Sequence, residues 1–163
     1  MVYVVRHAEK QDGSRDTALS DVGRARAAAL ARDLEGEEID SILVTEYRRT
    51  LQTALALANA RGIEPRVVAV GREEVRAHAD RVVSAIREAG PGACVLVVGH
   101  SNTVPVILAA LGVSESIVIG EEEFGRLYVV RHASIWGDGG GGGGAGRGAG
   151  RGRVELVVRR FGD

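Results

Sequence analysis

The 163-residue sequence predicts an α/β fold, a three-layer α/β/α sandwich with a mainly parallel sheet and a C-terminal antiparallel hairpin at its edge. Three observations carry this. Short apolar runs alternate with stretches of helical periodicity in the order βαβαβαβα. The last two apolar runs are joined by a glycine-rich tract that cannot supply a crossover helix, so they must pair as a hairpin. Hydrophobic residues make up 45% and charged residues 26% of a chain long enough to bury one core, which sets the expectation of a single domain over 1–163.

The first strand is Val2-Tyr3-Val4-Val5, a continuous apolar run of the kind buried in a parallel sheet, and it runs straight into Arg6-His7-Ala8-Glu9. A polar stretch follows, with Asp12-Gly13-Ser14 as a turn signal. Ser20 is a helix N-cap and Asp21 suits a first turn, so a helix is predicted over 21–35 with Val22, Ala25, Ala29, Leu30 and Leu34 inward. Residues 39–44 read as a second strand. The next helix starts near Tyr47, carries Leu51, Ala54, Leu55 and Ala58, and stops at Gly62. Pro65 leads into a short strand over 66–70. A third helix spans 73–89 with Val75, Ala79, Val82, Val83 and Ile86 on its apolar face; His78 is assigned to its surface. The run 93–98 is the most apolar and should be central; Cys94 within it reads as a buried, inert thiol. A helix over 103–111 tolerates Pro105 only in its first turn. Strands over 127–132 and 154–160 complete the chain, flanking the glycine-rich loop 137–152, which is expected to be mobile.

Composition excludes several function classes. The net charge of −1 gives no field for nucleic acid or an anionic membrane. One cysteine permits no internal disulfide and points to a reducing compartment. No apolar run approaches the ~20 residues of a membrane span, and the start of the chain lacks a secretion-signal pattern, so a cytoplasmic location is expected. Arg147 and Arg151 in the glycine-rich tract are too few, and lack interleaved aromatics, for RNA binding.

The chemistry lies at strand ends. In an open α/β sheet, ligands bind in the crevice beyond the carboxyl ends of the strands. Arg6 and His7 follow the first strand, Arg48 and Arg49 the second, and His100 the central one. Guanidinium forks, imidazoles and helix N-termini are the groups that bind a phosphoryl dianion. Neighbouring cations would keep His7 neutral and able to attack phosphorus.

Arg6-His7-Ala8-Glu9, Leu19-Ser20-x-x-Gly23, Arg49-x-x-x-Thr53-Ala54 and Gly99-His100-Ser101, in this order, resemble the histidine phosphatase superfamily, also called phosphoglycerate-mutase-like. The resemblance covers about residues 2–135 and comes nearest to the small bacterial phosphohistidine-phosphatase branch. It implies a metal-independent phosphatase without a cofactor, in which His7 is phosphorylated and Arg6, Arg49 and His100 bind the transferred phosphate and act in catalysis. Substrates would be phosphorylated small molecules or phosphoproteins, with hydrolysis favoured over mutase chemistry. Thr45-Glu46 departs from the family's usual Ser-Pro, and Ser101 stands where one branch has Asp. The leaving-group acid is open among Glu9, Glu73, Glu74 and Glu121-Glu122-Glu123, and its absence would leave a non-catalytic phosphate-binding module. Substrate identity and oligomeric state are open too. Arg48 is assigned to the rim. Tyr128 to Ala133 repeats Tyr3 to Ala8, but no Leu-Ser-x-x-Gly helix follows, so His132 is read as structural or exposed rather than as a second site.

Overall fold

A computed structural model describes residues 1–72, 74–132 and 154–162. The glycine-rich tract and Glu73 lie outside the described residues. The elements are β1 (Val2–Arg6), α1 (Asp21–Asp33), β2 (Ser41–Val44), α2 (Arg48–Arg61), β3 (Arg66–Val67), α3 (Val75–Glu88), β4 (Val95–Gly99), α4 (Val104–Ala110), β5 (Arg126–His132) and β6 (Val154–Arg160). They build one six-stranded sheet in the order β3-β2-β4-β1-β5-β6. Four strands are parallel, β5 runs antiparallel to β1, and β6 antiparallel to β5 at the edge. The expected sandwich with its edge hairpin is therefore the observed architecture.

The side-chain alternation of strands sorts the core into two layers. Val2 and Val4 of β1, Val95 and Val97 of β4, and Tyr128 and Val130 of β5 pack with α3 and α4 residues such as Val82, Ile86 and Ile107. Tyr3 and Val5, Leu96 and Val98, and Leu127 and Val129 face the other way, against Leu30 of α1 and Leu57 of α2. Strands buried on both faces explain why β1 and β4 read as unbroken apolar runs.

Local signals set most helix ends. The Ser20 hydroxyl accepts from the Gly23 N–H at 3.1 Å, and Gly62 ends α2 in the left-handed conformation at φ 64°. Gly23 matters for a different reason. A Cβ there would lie 2.2 Å from the Glu9 carbonyl oxygen, because the first turn of α1 rests directly on the backbone that leaves β1.

Two helix faces and one strand depart from expectation. On α1 the buried side is Gly23, Ala27 and Leu30, whereas Val22 is 61% exposed and Ala25 also faces out. On α2 the inward positions are Thr50, Thr53, Ala54, Leu57 and Ala58, and Leu51 and Leu55 point outward. The cause is the same in both: the inward faces use small or hydroxyl-bearing residues so that helix and strand-end backbones can approach closely. β3 ends at Val67; the Val68 N–H still donates to the Val44 carbonyl at 2.8 Å, and past it the Val70 and Gly71 N–H groups turn to the Glu46 carboxylate. Cys94 is partly exposed rather than buried.

Candidate active site

The parallel pairing of β1 with β4 puts Arg6 opposite Gly99, and the ladder continues one step as the His7 N–H donates to the Gly99 carbonyl at 2.9 Å. His7 and His100 thus leave neighbouring strands side by side. Their ring centroids are 5.2 Å apart in an edge-to-face arrangement, close to the ~4.8 Å spacing of adjacent strands. Arg49, one residue into α2, reaches the same place: its NH2 lies 3.3 Å from His100 Nδ1 and its NH1 donates to the Arg15 carbonyl at 2.8 Å. The guanidinium stacks on Tyr47, 4.5 Å from the ring centroid. Arg48 is exposed, as expected of a rim residue, and donates its backbone N–H to Asp16.

Arg6, His7, Arg49 and His100, separated by up to ninety-odd residues in sequence, line one cavity of about 720 Å³. Its rim adds Lys10, Asp12 and Arg15 from the loop after β1, Tyr47, and Glu121, Glu122 and Phe124 from the loop before β5. The sequence reading missed Lys10, Asp12, Arg15 and Tyr47; the turn signal at Asp12-Gly13-Ser14 marked the loop but not its direction. That turn is closed by the Ser14 N–H donating to Asp12 Oδ1 at 2.8 Å.

Arg6 is only 9% exposed and divides its attention. Its NH1 donates to the carbonyls of Gly120, Glu121 and Glu123 at 2.7, 2.8 and 3.1 Å, and the guanidinium lies 4.1 Å from the centroid of Phe124. It therefore fixes the far wall of the cavity. The Nε–H groups of both Arg6 and Arg49 are buried without a hydrogen-bond partner among the described residues. Unmet buried donors are costly, about 1–3 kcal/mol each and more when charged, unless an acceptor reaches them.

Donor and acceptor accounting fixes both imidazole tautomers. His7 Nδ1 lies 2.7 Å from the Ala8 carbonyl, which can only accept, so Nδ1 carries the proton and Nε2 keeps its lone pair. At His100 the Arg49 guanidinium can only donate, so Nδ1 is the acceptor; Nε2 carries the proton and donates to Thr45 Oγ1 at 3.0 Å. Burial holds both rings neutral. It is the first cause, with Arg49 and Arg6 adding repulsion, and it takes His7 from 6.5 to about 4. The neighbouring cations expected from the sequence lower this value as well, after burial. His100 falls to about 3 through burial first, then His7 and Arg49.

These depressed values make the fold acid-sensitive. Below pH 6.5 the unfolded chain takes up protons that the folded one refuses until about pH 4, so stability falls across that window as pH drops. Thermal unfolding followed between pH 7 and 4 should show the midpoint descending, and a flat profile would contradict the buried neutral pair.

The candidate acids separate. Glu9 is held by Arg26, whose Nε donates to its two carboxylate oxygens at 2.8 and 3.0 Å, and it is not among the cavity-lining residues. Glu74 sits exposed at the N-cap of α3, also outside the cavity lining. Glu123 is engaged by the Gly120 N–H and Arg126. Glu121 and Glu122 line the cavity, and Asp12 joins them. Glu73 lies outside the described residues. His78 is not a surface residue but 1% exposed, with its Nδ1 donating to the Ala69 carbonyl at 3.1 Å. His132 ends β5, and because β5 runs antiparallel to β1, the repeated segment as far as His132 heads toward the opposite end of the sheet from His7. Among the described residues no cluster of three or more His, Cys, Asp or Glu is arranged to hold a metal ion, and no helix is long and apolar enough to cross a membrane.

Residues 2–73 match the sequence model of the histidine phosphatase superfamily (branch 1). The chain is 37% identical over 70 residues to phosphoserine phosphatase 1 of Hydrogenobacter thermophilus, a match covering 39% of this chain and 33% of that protein, so it spans about a third of that curated relative's length. In structure it is similar to mycobacterial glucosyl-3-phosphoglycerate phosphatase, with a TM-score of 0.69 at 18% identity over 98% of this chain and 97% of the other. It is similar as well to the protein histidine phosphatase SixA complexed with tungstate, with a TM-score of 0.61 at 22% identity over 80% of this chain and 86% of that one. At those identities the structural likeness is one of fold.

Proposed function

We propose that this chain, whose residues 2–73 match the model of the histidine phosphatase superfamily, hydrolyses phosphomonoesters or phosphoramidates through a phosphohistidine formed on His7. The observation that carries this is the convergence, on one cavity, of a bare imidazole nitrogen and two guanidinium groups whose buried Nε–H donors are unmet among the described residues. A tetrahedral dianion supplies the acceptors those donors lack.

In the first transfer the His7 Nε2 lone pair attacks phosphorus and the bond to the leaving oxygen or nitrogen breaks in line. The departing group takes a proton from a protonated carboxyl at the rim, where Glu121 and Glu122 stand, and leaves that carboxyl ionised; hydrogen bonds from Ser14 hold the Asp12 carboxyl below its usual range and keep it out of this role. Arg6, Arg49 and His100 meet the charge spread over the equatorial oxygens. In the second, a water oxygen attacks phosphorus, the P–N bond breaks, and the water proton returns to the rim. The Nδ1–H···O=C bond to Ala8 holds His7 in the attacking tautomer in both steps.

A cavity of this volume is far larger than one phosphate, which leaves room for the rest of a small molecule or a protein side chain. Phosphoserine and glucosyl-3-phosphoglycerate, named for two similar proteins, belong with phosphohistidine in a first substrate panel. Phosphate chemistry in this cavity rests on protein groups, with neither a metal nor a nucleic acid or membrane partner assigned.

Incubation with a labelled phosphodonor in the presence of chelator, quenched in base, should give acid-labile, alkali-stable label on the protein. Absence of label together with no turnover of an aryl phosphate, whose good leaving group needs little proton donation, would overturn the enzymatic reading in favour of a phosphate-binding module.

A further inference from the structure

Thr45 stands where the sequence departs from the Ser-Pro common in the family, and its hydroxyl has a defined task. It accepts from His100 Nε2 at 3.0 Å and faces Thr50 Oγ1 at 3.1 Å. Thr50 Oγ1 donates to the Tyr47 carbonyl at 2.8 Å and accepts from the Thr45 N–H at 3.1 Å. Arg49, which can only donate, holds His100 as the Nε2–H tautomer, and the ordering is then His100 Nε2–H to Thr45, Thr45 to Thr50, and Thr50 to the Tyr47 carbonyl. Reversing the row would give up the 2.8 Å bond from Thr50 Oγ1 to the Tyr47 carbonyl, which also accepts from the Thr50 N–H at 3.0 Å. Thr45 is 3% and Thr50 0% exposed, so water does not offer His100 an alternative.

This ordering leaves the lone pair of His100 Nδ1 pointed at Arg49 NH2, at the edge of the cavity. An anion that draws Arg49 to itself removes the donor from Nδ1 and places an oxygen lone pair beside a nitrogen lone pair. A proton on Nδ1 turns that repulsion into a charge-assisted hydrogen bond, and Thr45 still accepts from Nε2. Protonating His7 instead would occupy the electron pair that attacks phosphorus.

We infer that Thr45 is a positioning residue that makes anion binding proton-linked: a tetrahedral dianion enters the cavity together with one proton, which settles on Nδ1 of His100. This rests on the phosphate-pocket reading above. The charged and titratable groups facing His100 are Arg6 and His7 at the end of β1, Tyr47 and Arg49 at the front of α2, and His78 from α3. Lys10, Asp12, Arg15, Glu121 and Glu122 line the same cavity. The neutral resting state of His100, enforced by burial, is the state from which such uptake starts.

Sulfate is the probe, since as a strong-acid dianion it brings no proton of its own near neutrality. Calorimetric titration of the full chain between pH 6 and 8 should give a dissociation constant that rises about tenfold per pH unit, the slope of one linked proton. Two buffers of different ionisation enthalpy should report the same uptake. Thr45→Val removes the acceptor at Nε2 and frees the tautomer with Nδ1–H, so the slope should collapse while sulfate still binds; Thr45→Ser should restore it. Affinity independent of pH in the native chain overturns the inference, as does a Thr45→Val chain that keeps the native slope, which would place the proton on His7. Failure of sulfate to bind at any pH is a separate result, and sinks the phosphate pocket with it.

Discussion

Replacing His7 with alanine should lower kcat toward an aryl phosphate by at least about a thousandfold, with no protein-bound label, while inorganic phosphate still binds. Removal of a covalent nucleophile costs several orders of magnitude because the residual site can only bind and polarise. His7 offers the group that fits: its Nδ1 proton is committed to the Ala8 carbonyl, its Nε2 is bare, and burial keeps the ring neutral down to about pH 4. Arg49 and the donors around it remain in the variant, which is why phosphate affinity should outlast turnover. Steady-state kinetics beside phosphate titration checks both halves. A variant that keeps within tenfold of the native kcat would remove His7 from the chemistry.

Gly23→Ala should be among the most damaging added methyls at the described glycines. The added carbon would sit 2.2 Å from the Glu9 oxygen, 3.0 Å from its nitrogen and 3.1 Å from its carbonyl carbon, all backbone atoms that no rotamer change can move. The same Glu9 carbonyl accepts the Ser20 N–H at 3.0 Å, so pushing it away also loosens the α1 cap. Overpacking of a rigid site costs about 1–3 kcal/mol and more where backbone must shift. At the upper value the melting temperature should fall by roughly 6–12 °C for a chain of this size. Because Glu9 is two residues from His7, kcat/KM should fall with it. An unchanged melting curve would mean that α1 can slide away without cost.

What the sequence disclosed follows from how locally each feature is encoded. Apolar runs and strand-end charges placed β1, β2, β4 and the convergence of Arg6, His7, Arg49 and His100, since parallel strands deliver their carboxyl ends to one edge. The Leu-Ser-x-x-Gly pattern was visible, but its reason, contact with the backbone at Glu9, belongs to tertiary packing. The inward faces of α1 and α2 were misjudged because a hydrophobicity pattern favours Val22, Leu51 and Leu55 over Gly23, Thr50 and Thr53, whereas close backbone approach and the hydroxyl row reward the smaller residues. His78 was placed outside for the same reason: a polar residue on a helix gives no hint that the Ala69 carbonyl waits for it. Glu9 looked eligible as an acid by position alone, and only the fold shows Arg26 taking it.

The pairing of β1 with β4 sets a dimension as well as a position. The gap between the two imidazoles is inherited from a main-chain ladder, so it works as a ruler whose graduation is the hydrogen bond itself. Side-chain substitutions elsewhere in the core can soften the molecule without recalibrating that ruler. Only a slip of one strand past the other would, and a slip would invert every residue of a strand buried on both faces, a change the interior forbids.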